Sequence, residues 1–133
     1  MTKETINPSS LPKPRGFNHG FLCPGGKTLF LAGQDAGDEN GNIVCLGDIV
    51  GQYEQVLKNL QAVVVEAGGT MQDIVKMNIF VSDRDDYVAH LKELGAVHKK
   101  YFGRYYPATA LLEVVGFYQK GNLVEIEGFA YLD

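Results

Sequence analysis

Glu125 and Glu127 set the first chemical question. In VEIEGFA, residues 124–130, they alternate with Val124 and Ile126, so a strand here turns both carboxylates to one face and the aliphatic side chains to the other. A carboxylate at a half-apolar surface, beside like charges such as Glu127 and Glu113, has its proton affinity raised toward neutral pH, as a general base requires. The same residue suits a solvated or salt-bridged strand carboxylate, for instance one paired with Lys76, and both readings stay open. His19 follows the apolar Phe17, and a histidine there is a second candidate acid, base or hydrogen-bond partner; a structural role is the alternative. His98 falls on an apolar helical stripe and reads as a core residue, and His90 reads as solvent-exposed. No metal site can be assembled, because Cys23 and Cys45 have neither CxxC nor Cys/His ligand spacing; they read as buried free thiols. The pairs Gly25-Gly26 and Gly68-Gly69 lack the spacing of a phosphate loop and read as turns.

The elements that must position these residues follow from periodicity. Three of the five prolines, Pro8, Pro12 and Pro14, lie in residues 1–18, which predicts an extended N-terminal arm instead of a packed element. Residues 28–34 (TLFLAGQ) read as a strand that leads into a hairpin at DAGDENGN. Tyr53, Val56, Leu57, Leu60, Val63, Val64 and Ala67 repeat at helical spacing and stop at Gly68-Gly69. Residues 74–81 alternate as a strand. Tyr87, Leu91, Leu94, His98 and Tyr101 then give a second amphipathic helix, ending at Gly103. Residues 108–115 and 123–131 complete the order strand, strand, helix, strand, helix, strand, strand. This predicts an α+β two-layer sandwich: a mostly antiparallel sheet with two helices on one face.

The uncovered sheet face then gathers Glu125 and Glu127 with Thr109, Leu111 and Glu113, joined by Lys76, Asn78, Phe80 and Phe129. Such a mixture is too apolar for free solvent and too charged for a dry core, which predicts a subunit seam with a wet cleft for a small molecule. With 133 residues and 45% hydrophobic content, residues 1–133 read as one domain. A net charge of −4 without a basic block argues against nucleic acid. No apolar run approaches the roughly 20 residues that span a bilayer, and the polar MTKETINPSS has no signal-peptide core, so no membrane partner and a soluble, cytoplasmic setting are expected.

Five segments together resemble the Rid (YjgF) family: PRGF at 14–17, LFLAGQ at 29–34, QVLKNLQAVVVEAGGTMQDIVKMNIFVSD at 55–83, YPATALLEV at 106–114 and VEIEGFA at 124–130. The resemblance implies a chorismate-mutase-like fold, a homotrimer, and enamine or imine hydrolysis without a cofactor at each subunit seam. It also implies that Glu125 holds the attacking water, with Gly33 and Gln34 beside the cleft. Family members that release ammonia from amino-acid imines carry Pro-Ala-Arg, whose arginine forks onto the substrate carboxylate; here Thr109 stands in that place. Phe17 stands where the family often has tyrosine, and Ala32 where it often has serine. Arg104, five residues before Thr109, is a candidate to reach the same cleft from a displaced position, and Arg15 in the arm is another. The resemblance therefore predicts an enamine/imine deaminase with an altered carboxylate anchor, and the alternative is a non-catalytic trimer that binds a small molecule. Ribonuclease activity, attached to some relatives, is the weakest reading on the acidic charge balance.

Overall fold

In the computed structural model, which describes residues 3–133, the elements run β1 (Glu4–Ile6), β2 (Gly20–Leu22), β3 (Lys27–Gln34), α1 (Ile49–Glu66), β4 (Ile74–Val81), α2 (Arg84–Ala89), α3 (Leu91–Phe102), β5 (Ala108–Glu113) and β6 (Val124–Leu132). The main sheet has the order β3-β6-β4-β5. Its β3–β6 and β6–β4 pairings are antiparallel, and β4–β5 is parallel because the chain crosses over through α2 and α3 between them. The helices lie on one face, as the periodicity predicts.

α1 shows why. Asp48 accepts a hydrogen bond from the Gly51 amide at 3.0 Å and caps the first turn. The buried stripe then runs Ile49, Tyr53, Val56, Leu57, Leu60 and Val64. Against it lie Met77, Ile79 and Val81 of β4 and Val124 and Ile126 of β6. Each such aliphatic side chain stabilises the fold by about 1.5–3 kcal/mol relative to exposure. The helix ends where Gly68, at φ +90, lets the Gly69 amide return to the Val64 carbonyl at 2.9 Å.

Several expectations change. The second helical stripe is two helices, α2 and α3, broken at His90. Its ring Nδ1 bonds the Asp86 carbonyl at 2.8 Å, displacing the amide that would have continued the helix. The His90 side chain keeps its solvent exposure, as expected, while holding this bond and lying 3.3 Å from the Asp86 carboxylate. No strand follows the DAGDENGN turn, because the Asp38 carboxylate takes the Asn40 and Asn42 amides, both at 2.9 Å, leaving only an isolated Gly37–Ile43 bridge. In the arm, β1 pairs antiparallel with β2, since the three prolines all lie in the connection and leave the amides of Glu4–Ile6 free to pair. Cys45, expected buried, is exposed; Cys23 is half-buried. No described helix is long and apolar enough to cross a membrane.

Gln52 ties the β5–β6 connection to α1. Fully buried, it donates to the Gly121 carbonyl at 2.8 Å and accepts from the Leu123 amide at 2.7 Å. Gln52→Leu strands both groups and is expected to lower unfolding free energy by about 2–4 kcal/mol. Urea denaturation checks this; a loss under about 1 kcal/mol would mean that water replaces the side chain.

Candidate functional site

The face opposite the helices carries Glu125, and the register sets its neighbours. β6 places Glu125 opposite Phe80, Glu127 opposite Asn78, and Phe129 opposite Lys76. On the far side, β3 has a bulge: Leu31 pairs with Gly128 and Gln34 with Ile126, so Ala32 and Gly33 together oppose Glu127. A Cβ at Gly33 would collide with the Glu125 carboxylate, so glycine leaves the room the carboxylate occupies. Gln34 is half-buried, its amide weakly placed on the Ala32 carbonyl at 3.4 Å.

Glu127 accepts from Asn78 Nδ2 at 3.2 Å, while among the described residues nothing donates to Glu125. Lys76 sits by Phe129 and Ala108, away from Glu125. The ion pairs among described residues are Arg84–Asp85, His90–Asp86 and Lys100–Glu54, so the alternative reading of Glu125 as a Lys76 partner does not hold. Burial holds the Glu125 carboxyl above its usual range, with the charges of Asp35 and then Glu127 adding to the effect. Asp35 is a neighbour that sequence reasoning missed. It is fixed by the Gly37 amide at 2.9 Å and Asn122 Nδ2 at 3.1 Å, neutral donors that leave its charge uncancelled.

Thr109 lies elsewhere. In the parallel β4–β5 pairing Met77 faces Thr109, Ile79 faces Leu111 and Val81 faces Glu113, so all three β5 residues share the helix side. The expected gathering of Thr109, Leu111 and Glu113 with Glu125 is therefore overturned: Ala108, Ala110 and Leu112 share the Glu125 face instead. The physical reason is the register, since an alternating strand without a continuous buried run can offer either face to the core. Glu113 accepts from the Arg84 amide at 2.8 Å, at the start of α2, and so is not among the charges acting on Glu125.

On that helix side a cavity of about 350 Å³ opens between β5 and the helices, lined among others by Thr109, Phe17, Arg15, Tyr106, Leu91 and His98. Thr109 Oγ1 donates to the Pro107 carbonyl at 2.9 Å, which engages its one proton. His98 stacks between Phe102 and Tyr106, with ring centroids 4.4 and 4.6 Å away, and its Nε2 meets the Tyr105 carbonyl at 2.9 Å. Burial lowers its proton affinity, although the backbone bond opposes this. Arg104 lines a neighbouring cavity with residues of the arm and does not reach the space beside Thr109, whereas Arg15 does. His19 braces the arm: Nε2 meets the Pro12 carbonyl at 2.8 Å, the amide donates to Asn7 Oδ1 at 2.8 Å, and the ring stands edge-on to Phe17.

Tyr53 and Tyr87 also line the cavity, their rings edge to face at 6.4 Å. Sequence reasoning placed both on apolar stripes; the phenol tips were the available sign of a second use. Within one chain the candidate residues thus fall into two groups on opposite sides of the sheet, one with Glu125, Gly33 and Gln34, the other with Thr109, Phe17 and Arg15. Among the described residues no group of three or more His, Cys, Asp or Glu could hold a metal ion.

The family profile described as Endoribonuclease L-PSP matches residues 12–132. A RutC family protein of Pyrococcus horikoshii is 34% identical over 129 residues, covering 97% of this chain and 98% of that protein. Protein DfrA of Myxococcus xanthus is 30% identical over 131 residues, covering 98% and 96%. Among solved structures, YyfB of Yersinia pestis, described as a Rid-family protein of unknown function, superposes with a TM-score of 0.88 at 32% identity, covering 99% and 100% of the two chains. RidA of an Antarctic Psychrobacter species gives 0.69 at 30% identity, covering 97% and 99%. With the profile match spanning nearly the whole chain, this protein belongs to the Rid (YjgF, Endoribonuclease L-PSP) family.

Proposed function

We propose that the protein is a homotrimeric enamine/imine deaminase acting on a small metabolite, its cleft formed where the Glu125 face of one subunit meets the Thr109 cavity of the next. The observation that carries this reading is Glu125 itself: a half-buried carboxylate of raised proton affinity, with no described donor, beside the β3 bulge whose Gly33 leaves it space. Glu125 takes a proton from water as the water oxygen bonds to the imine carbon, and that proton is returned to nitrogen. The C–N bond of the carbinolamine then breaks as its hydroxyl proton passes to the departing nitrogen, giving ammonia and a carbonyl product. No cofactor takes part in these steps.

Assembly is part of the proposal because the two groups cannot meet inside one chain. The Glu125 face is uncovered by any described element and carries Phe30, 73% exposed, packed edge-on to Phe129 at 5.3 Å, with Leu112 exposed on the same face. A ring of subunits would cover this face and bring a neighbour's cavity to it. Engagement of the Thr109 hydroxyl by the backbone favours a second reading, a trimer that binds a small molecule without turnover.

Sedimentation combined with an ammonia assay tests both parts, the imines being generated in the assay by an amino-acid oxidase. A trimer that accelerates ammonia release above the uncatalysed rate is the expected result. A stable monomer would remove the composite cleft, and a trimer with no acceleration on any imine would favour the binding reading.

A further inference from the structure

The cavity beside Thr109 is rich in donors and has no charged acceptor. Arg15 is its one ionic wall group, and no aspartate or glutamate lines it. Among the described residues no carboxylate pairs with Arg15. Gly16, at φ +76, bends the arm between Arg15 and Phe17, and all three residues line the cavity.

Tyr53 supplies an independent observation. It is 2% exposed, and among the described residues nothing hydrogen-bonds its phenol. Yet no buried side-chain nitrogen or oxygen of the described residues lacks a partner, so Tyr53 Oη must open onto the cavity. Burial, then the nearness of Tyr87 and Tyr106, pushes the Tyr53 phenol far above its usual range, so it remains a neutral donor. A phenol hydroxyl that opens onto the cavity with no protein partner is a donor available to an acceptor on a ligand. The remaining walls are apolar: Met77, Ile79, Leu91, Leu94 and Leu111 contribute aliphatic surface, and the Tyr53–Tyr87 pair and the His98–Tyr106 stack contribute aromatic rings.

We propose that this cavity binds a monocarboxylate with an aromatic body, the Arg15 guanidinium forking onto the carboxylate and the Tyr53 phenol donating to an acceptor of the ligand. A guanidinium arriving from the arm thereby takes the place of the strand arginine that Thr109 lacks. The inference rests on the proposed deaminase activity for its reaction, since the imine of an aromatic amino acid is such a carboxylate, but binding stands apart from turnover.

Isothermal titration with 3-phenylpropanoate and with its neutral amide tests the site in wild type, Arg15→Gln and Glu125→Gln. Arg15 is exposed, so its variant should fold, and far-UV circular dichroism checks this. The expected result is saturable binding of the acid that persists in Glu125→Gln and weakens roughly tenfold or more in Arg15→Gln, with the amide weakened similarly. Equal affinity for acid and amide, affinity unchanged by Arg15→Gln, or no saturation by the acid overturns the proposal. Binding without ammonia release from aromatic imines would retain the site and remove the deaminase reading. Ammonia release from small imines without binding of the acid would do the reverse.

Discussion

Glu125→Gln is expected to lower ammonia release by about 10²–10⁴-fold, the range over which a positioned general base contributes. Glutamine keeps the size and one acceptor oxygen beside Gly33 but cannot take the proton from water. The wild-type rate should fall as pH drops, with its acid limb above the ordinary glutamate range, because burial first and then Asp35 and Glu127 disfavour the ionised form. Asp35→Asn removes one of those charges and should move the limb to lower pH. Stability gives a separate control. A carboxyl whose folded proton affinity is raised contributes stability that is fully present below its unfolded pKa and lost as pH rises through the folded value. The glutamine variant escapes that loss, so at pH 7 it should unfold at no lower urea concentration than wild type. A pH profile without an acid limb, or turnover unaffected by Glu125→Gln, would show that Glu125 is not the base.

The part of the candidate site around Glu125 was legible because its pattern is strict. Val124 and Ile126 are both fully buried under the helices, which leaves Glu125 and Glu127 one possible face. The same argument failed one strand away. Residues 108–113 contain no alternation of buried apolar and charged side chains, so period-2 reasoning fixed which residues travel together but not which way they point. Partnership with β4 decides it, and that parallel pairing depends on a crossover of some twenty-five residues whose geometry no local motif carries. His90 is a smaller instance: its ring competes for a backbone carbonyl, a tertiary choice that helical spacing does not record. Tyr53 shows a different limit. Its place on the α1 stripe was evident, but an empty space above its hydroxyl arises only when α1, α2 and β5 are assembled.

Thr109→Arg should raise kcat/KM for 2-iminobutanoate roughly tenfold or more, since a forked contact restores charge-assisted bonds of about 1.5–3 kcal/mol each. Thr109 contributes little that would be missed, because its hydroxyl serves the Pro107 carbonyl and its side chain is only half-buried. The new side chain would enter a cavity of about 350 Å³ that already holds Arg15 on its wall. Two guanidinium groups there repel in the empty site and are reconciled by a carboxylate between them, so the gain should depend on substrate charge and shrink at high salt. The longer side chain also fills volume that an aromatic body would use, so activity on aromatic imines should fall as that on 2-iminobutanoate rises. In Thr109→Arg/Arg15→Gln the repulsion is absent, and the small-substrate gain should persist while aromatic-acid binding is lost. If Thr109→Arg folds and assembles as wild type yet gains nothing on 2-iminobutanoate, the anchor does not lie beside residue 109, and the composite cleft built from it must be abandoned.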